Sequence, residues 1–183
     1  QLHWGGGTPT FLDNDQIHQL MDATSRHFTL RTDDEGEYSI EIDPRSEHAE
    51  KLETLRNAGF NRISMGVQDV NEEVQRAVNR KQIIELTGNV NQQARALGIN
   101  SVNMDLMYGL PYQKVASLEQ TLDTIIEIQP DRIAVYNYAD LPERFKPQRR
   151  IDEATLPSPD EKLSLLQHTI EHLTGSGYVY IGM

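Results

Sequence analysis

Short runs rich in β-branched and aromatic residues alternate along the chain with longer stretches whose apolar positions recur every three or four residues, the pattern of repeated βα units. Strands are predicted at Leu2–Trp4, Tyr38–Ile42, Arg62–Val67, Ser101–Tyr108, Arg132–Tyr138 and Tyr178–Ile181. Between them lie amphipathic helices with recognisable ends. Asp13 is placed to cap a helix with the stripe Ile17, Leu20, Met21 and Phe28, and 49–58 carries Leu52 and Leu55 before Gly59. Helical spacing returns around Val74 and Val78, around Ile83, Ile84, Val90 and Leu97 before Gly98, and at Leu118, Leu122, Ile125 and Ile126 before Pro130. A last stripe, Leu163, Leu166, Ile170 and Leu173, precedes Gly175. The expected fold is α/β with a parallel sheet of about six strands, arranged as a partial (β/α) barrel. The segment 139–160 breaks the rhythm with Pro142, Pro147, Pro157 and Pro159 and the basic residues Arg144, Lys146, Arg149 and Arg150. Loops this long act as lids or binding segments, or run over the surface.

Composition narrows the functions available. The 183 residues include 37% hydrophobic positions, enough for one domain core, and no apolar run reaches the length of a membrane span. Seventeen basic residues against 28 acidic ones give a net charge of −11, which opposes binding to nucleic acid. With Cys 0, no disulfide, zinc thiolate or iron–sulfur ligand exists within these residues. The sequence opens at Gln1 without an initiator Met or a leader, and the strand pattern at its other end stops at Met183; both ends read as truncations.

The strand ends are unexpectedly polar. Strand one runs into Gly5-Gly6-Gly7-Thr8, strand two ends around Glu41 and Asp43, strand three around Gln68 and Asp69, strand four carries Asp105, and strand five delivers Asn137 and Tyr138. In β/α folds the C-terminal ends of strands build the ligand site. The glycine run has neither the spacing of a dinucleotide fingerprint nor the Gly-Lys-Ser/Thr of a phosphate loop. Carboxylates and amides beside bare glycine backbone suit instead a ligand with hydroxyls and positive charge, such as S-adenosylmethionine, whose carboxylate Arg80 is able to grip.

The runs Gly5-Gly6-Gly7-Thr8-Pro9-Thr10, Ser39-Ile40-Glu41-Ile42-Asp43-Pro44-Arg45 and Asn61-Arg62-Ile63-Ser64-Met65-Gly66-Val67-Gln68-Asp69 resemble the oxygen-independent coproporphyrinogen III oxidase family of radical S-adenosylmethionine enzymes. So do Val78-Asn79-Arg80, Asn103-Met104-Asp105-Leu106-Met107-Tyr108-Gly109-Leu110-Pro111, Tyr136-Asn137-Tyr138-Ala139 and Leu156-Pro157-Ser158-Pro159. The resemblance covers essentially all of 1–183 and implies the central part of a radical SAM half-barrel domain, truncated at both ends. It implies a [4Fe-4S] cluster whose cysteines precede the glycine turn and lie outside this chain. It implies an oxidoreductase (coproporphyrinogen dehydrogenase) of haem and porphyrin biosynthesis in the cytoplasm. There a 5′-deoxyadenosyl radical drives anaerobic decarboxylation of coproporphyrinogen III to protoporphyrinogen IX, with a porphyrinogen substrate and an electron donor as partners, and the fragment alone is inactive. By the same resemblance Gly6, Gly7 and Thr8 meet the methionine moiety, and Glu41 takes an ammonium. Gln68, Arg80 and Asp105 hold ribose and carboxylate, and Ala139 offers backbone to adenine; no catalytic residue falls within the chain. Asp140 stands where the family shows His. The alternative is a haem-chaperone-like paralogue that binds haem, against which Gln68-Asp69 argues.

Two further signals are weighed. His168-Thr169-Ile170-Glu171-His172 matches a zinc-peptidase pattern, but a helical wheel sets both histidines opposite the Leu163 stripe, towards solvent, and no metal site is expected. Arg144, Lys146, Arg149 and Arg150 fit either the carboxylates of a porphyrinogen or a solvated basic loop.

Overall fold

The computed structural model describes residues 1–45 and 49–182; Met183, the last residue of the domain expected over 1–183, lies outside the described residues. A five-stranded parallel sheet has the order β1 (Leu2–Trp4), β2 (Tyr38–Ile42), β3 (Arg62–Gln68), β4 (Ser101–Tyr108), β5 (Arg132–Asn137). Among the described residues six helices accompany it: α1 (Asn14–His27), α2 (Ala49–Asn57), α3 (Glu72–Ala77), α4 (Ile84–Ala96), α5 (Val115–Ile128) and α6 (Pro159–Gly175). The chain divides into two compact units. One comprises Gln1–Gly66, Ile83–Met104 and Pro130–Ile133, the other Val67–Gln82, Asp105–Gln129 and Ala134–Met183.

In the first unit β2 is the organising strand. It pairs in parallel with β1, Leu2 opposite Tyr38 and Trp4 opposite Ile40, and with β3, Ile40 opposite Ile63 and Ile42 opposite Met65. Alternation along β3 buries Ile63 and Met65, which join Ile40, Ile42, Leu52, Leu55, Phe60, Val102 and Met104 in the core. Trp4 meets the Phe60 ring edge-on, with centroids 4.9 Å apart. Asn61 ties the entry of the strands together. Its Oδ1 accepts from Tyr38 N at 2.9 Å, its Nδ2 donates to Gly36 O at 2.7 Å, and its carbonyl accepts from Asn100 N at 2.9 Å. Helix α1 begins as predicted: Asp13 accepts from Gln16 N at 2.8 Å, and the Gln16 side chain accepts from Asp13 N at 3.0 Å. Of its stripe, Ile17 and Met21 are buried whereas Leu20 and Phe28 are exposed.

The second unit holds α3, α5, α6 and the long segment after β5. Val74, Leu110 and Tyr138 form a small core on which Ile151 and Leu156 of that segment pack. The segment is therefore anchored, with 3-10 turns at Lys146–Arg150 and Glu153–Thr155 and with Gln148 bridging Leu141 N and Ala139 O. Its basic side chains Arg144, Lys146, Arg149 and Arg150 are exposed. Helix α6 opens with a capping box between Ser158 and Glu161, and the Ser158 backbone N–H holds the Glu161 carboxyl below its ordinary value.

Two expectations are corrected. Tyr178–Ile181 is not a sixth strand: Tyr178 N donates to Leu173 O, finishing α6, and the residues after it join no sheet, leaving Val179 and Ile181 85% and 91% exposed. Strand propensity without a partner ladder makes no strand. On α6 the buried line is Leu165, Thr169 and Leu173, while Leu163 is 64% exposed. That rotation carries His168 and His172 away from open solvent and towards α5, their side chains only 25% and 21% exposed. No helix is long and apolar enough to cross a membrane among the described residues.

Candidate functional site

The first unit places the glycine turn directly after β1 and Glu41 near the C-terminal end of β2. Gly6 has a left-handed backbone, φ 89°, with no atom near the position a Cβ would take, so its backbone is open to an approaching group. Gly5, by contrast, is crowded by two side-chain ends. A Cβ there would lie 2.6 Å from His3 Nε2 and 2.9 Å from Glu41 Oε1. Gly6 N donates to Glu41 Oε2 at 3.2 Å, and His3 Nε2 faces Glu41 Oε1 at 3.6 Å. His3 is itself steered by Ser39 Oγ, 2.8 Å from Nδ1. The result is a half-exposed carboxylate joined to a glycine backbone, with Gly7 and Thr8 exposed beside it. Asp43, the other acid of this strand end, is engaged in ion-paired hydrogen bonds with Arg45.

In the second unit Gln68, Arg80, Asp105 and Ala139 are placed by four separate elements. Gln68 ends β3 with φ 70°, a left-handed conformation unusual for a side-chain-bearing residue. The next residue explains it. Asp69 is almost wholly buried and accepts from Asn71 N at 2.7 Å, Thr121 Oγ1 at 2.8 Å and Gln113 Nε2 at 2.6 Å. These bonds set the turn in which Gln68 sits. Burial nevertheless dominates, pushing the Asp69 carboxyl above its ordinary value. Asp69 thus faces inwards, where the sequence reading put it on a ligand rim. Gln113 is fixed in turn: its Oε1 accepts from Gly109 N and its Nε2 also donates to Met107 O.

Arg80 follows α3 in a turn that Gln75 clamps, donating from Nε2 to Gln82 O at 3.1 Å and accepting from Gln82 N through Oε1 at 3.1 Å. Its guanidinium is half-buried and donates to Gln82 Oε1 at 3.4 Å. Asp105 is half-buried within β4, three residues before the strand ends at Tyr108. Ala139 is exposed two residues beyond β5, its carbonyl accepting from Gln148 Nε2 at 2.9 Å. Its neighbour Tyr138 is buried, which pushes the phenol up from its ordinary value. Sequence reasoning missed Gln113 and Thr121. Thr121 did carry a signal, as a polar residue on the apolar face formed by Leu118, Leu122 and Ile125.

A separate open cleft of about 940 Å³ in the first unit is lined by Ser25, Arg31, Asp34, Tyr38 and Arg56. It lies at the start of β2, and three of its charged groups are already paired, Arg31 with Asp33 and Arg56 with Asp34. At the strand ends Glu41 keeps a half-exposed carboxylate beside the open backbone of Gly6 and Gly7.

Residues 1–125 match the family model of the radical SAM superfamily. The chain belongs to this superfamily. Along all 183 residues it is 54% identical to the oxygen-independent coproporphyrinogen III oxidase of Pseudomonas aeruginosa and 52% identical to that of Escherichia coli. It covers 40% of the length of each. The structure of coproporphyrinogen III oxidase from Escherichia coli, a radical SAM enzyme, superposes with a TM-score of 0.95 at 52% identity, over 100% of this chain and 42% of that one. The α/β fold with a parallel sheet is the radical SAM fold the sequence led us to expect.

Proposed function

We propose that the protein carrying this chain is a cytoplasmic radical SAM oxidoreductase converting coproporphyrinogen III to protoporphyrinogen IX without oxygen, with 1–183 as the central part of its half-barrel domain. The observation that carries this reading is an overall identity of 52–54%, over an alignment spanning all 183 residues, to proteins named for that activity. Bound S-adenosylmethionine, together with a reduced [4Fe-4S] cluster, supplies hydrogen-atom abstraction from a substrate propionate, the electron coming from a reduced donor. These residues contain no thiolate, so they do not hold the cluster. They do fit S-adenosylmethionine. The open backbone of Gly6 and Gly7, with Thr8, accommodates the methionine moiety without a Cβ in the way, and Glu41 keeps a carboxylate exposed for its ammonium. In the second unit Arg80 supplies a guanidinium for a carboxylate, Gln68 and Asp105 supply acceptors for ribose hydroxyls, and Ala139 supplies backbone polar groups for adenine. These residues bind and orient.

The test uses the full-length protein under anaerobic conditions. Glu41→Ala is expected to weaken S-adenosylmethionine binding by about 1–3 kcal/mol, because an ammonium is left unpaired; unchanged affinity by calorimetry removes Glu41 from the site. Turnover is followed by chromatography of the porphyrins, and cleavage of S-adenosylmethionine without decarboxylation would overturn the proposed reaction.

A further inference from the structure

Helices α5 and α6 of the second unit carry a set of side chains that the proposed reaction does not use. His168 and His172 sit one turn apart on α6, and Glu119 and Asp123 one turn apart on α5. One potential ligand atom from each of Glu119, His168 and His172 lies within 4.8 Å of the other two. The imidazole rings lie side by side, centroids 5.5 Å apart and tilted by 31°. Asp123 Oδ1 is 2.7 Å from His172 Nε2, placing a second carboxylate against the pair.

The detail that asks for an explanation is His168 Nε2, which is buried and has no hydrogen-bond partner. Glu119 Oε2 stands 3.5 Å from it, at the outer limit of hydrogen-bond length. That separation is close to the edge of a tetrahedron around one cation: with metal–nitrogen and metal–oxygen bonds near 2.0–2.1 Å, two tetrahedral ligands stand about 3.3 Å apart. We propose that Glu119, His168 and His172, with Asp123 beside them, bind a divalent first-row transition metal that clips α5 to α6. Two imidazoles with carboxylate oxygens and no thiolate form a borderline donor set suited to zinc, cobalt(II) or nickel rather than magnesium or calcium. The His-x-x-Glu-His run of the sequence contributes its two histidines but not its glutamate. Glu171 is exposed and accepts from Gln167 Nε2 at 2.8 Å, and the acid of the site comes from the other helix.

The 183-residue chain suits the experiment because it lacks cysteine and therefore any thiolate that would compete for metal. Zinc chloride is titrated into the chelator-treated chain by calorimetry, and cobalt(II) chloride is titrated with visible absorption as the readout. One equivalent of zinc is expected, along with the visible bands of tetrahedral cobalt(II). Each of His168→Ala, His172→Ala and Glu119→Gln is expected to lower zinc affinity at least tenfold, with unchanged far-UV circular dichroism showing that the variants fold. His18→Ala and His27→Ala, on α1, are expected to leave binding intact. Zinc should raise the melting temperature of the parent chain and not that of His168→Ala. The proposal is overturned if no equivalent binds, or if binding survives both His168→Ala and His172→Ala. Magnesium binding as tightly as zinc also overturns it.

Discussion

Glu41 and Asp69 are both carboxylates near the ends of consecutive parallel strands, and the structure uses them in opposite ways. Glu41 accepts one backbone N–H, from Gly6, and stays half exposed. Asp69 accepts from one backbone and two side-chain donors and has almost no contact with solvent. The first is available to a ligand because little within the chain satisfies it. The second is consumed in holding the turn that follows Gln68, whose backbone is left-handed. Polar residue type at a strand end is therefore a poor guide to role. What separates the two is how many donors surround the oxygen atoms.

The most damaging way to break the contrast is Asp69→Ala, which takes one acceptor from each of Gln113 Nε2, Thr121 Oγ1 and Asn71 N. A loss of about 3 kcal/mol in urea unfolding is expected, and a loss below about 1 kcal/mol would mean that the network is not structural. Asp69→Asn is a finer probe. Gln113 cannot rotate to accommodate it, because its Oε1 is taken by Gly109 N, so in either orientation the new NH₂ faces an N–H donor, Gln113 Nε2 or Asn71 N. A cost of about 1–3 kcal/mol is expected at neutral pH.

The same pair of proteins reports the pH dependence. Burial raises the Asp69 carboxyl above its ordinary value, so the folded state binds that proton more tightly than the unfolded chain. The burial cost is absent below the ordinary carboxyl range and grows as pH rises through the folded value. The stability advantage of the parent chain over Asp69→Asn should therefore shrink from acid pH towards neutrality. Urea titrations at a series of pH values check this, and a difference that widens with pH contradicts the sign. Smaller again is Gly109→Ala, where φ is 85° and the new Cβ would lie 3.0 Å from Lys162 Cε. It is expected to cost about 1–2 kcal/mol in the same assay. Smallest is Glu41→Ala, expected to change stability by less than about 0.5 kcal/mol while it weakens ligand binding, a separation that Asp69 variants should not show.

The strands were legible because their signal is local. β1, β2 and β4 occupy the predicted residues, β3 extends one residue further and β5 ends one residue earlier. The failures came where the deciding partner is distant in sequence. On α6 the polar Thr169 lies on the buried line, its hydroxyl turned back to Leu165 O at 2.8 Å, so a wheel that counted threonine as polar chose the wrong face and sent both histidines to solvent. Asp69 misled for a related reason: the groups that claim it, Gln113 and Thr121, lie 44 and 52 residues further along the chain. Among the candidate ligand residues, Gly6 and Glu41 were legible as neighbours of the C-terminal ends of β1 and β2, but the hydrogen bond between them was not. Gln68 was visible as a strand-end residue, but its left-handed backbone was not.

The sheet order, β1-β2-β3-β4-β5, repeats the order of the chain itself. No strand must wait for a later one to be inserted between it and its predecessor. As the polypeptide leaves the ribosome, each new strand finds its docking edge already made, and the sheet is able to grow by addition at one side, so that assembly can keep pace with synthesis.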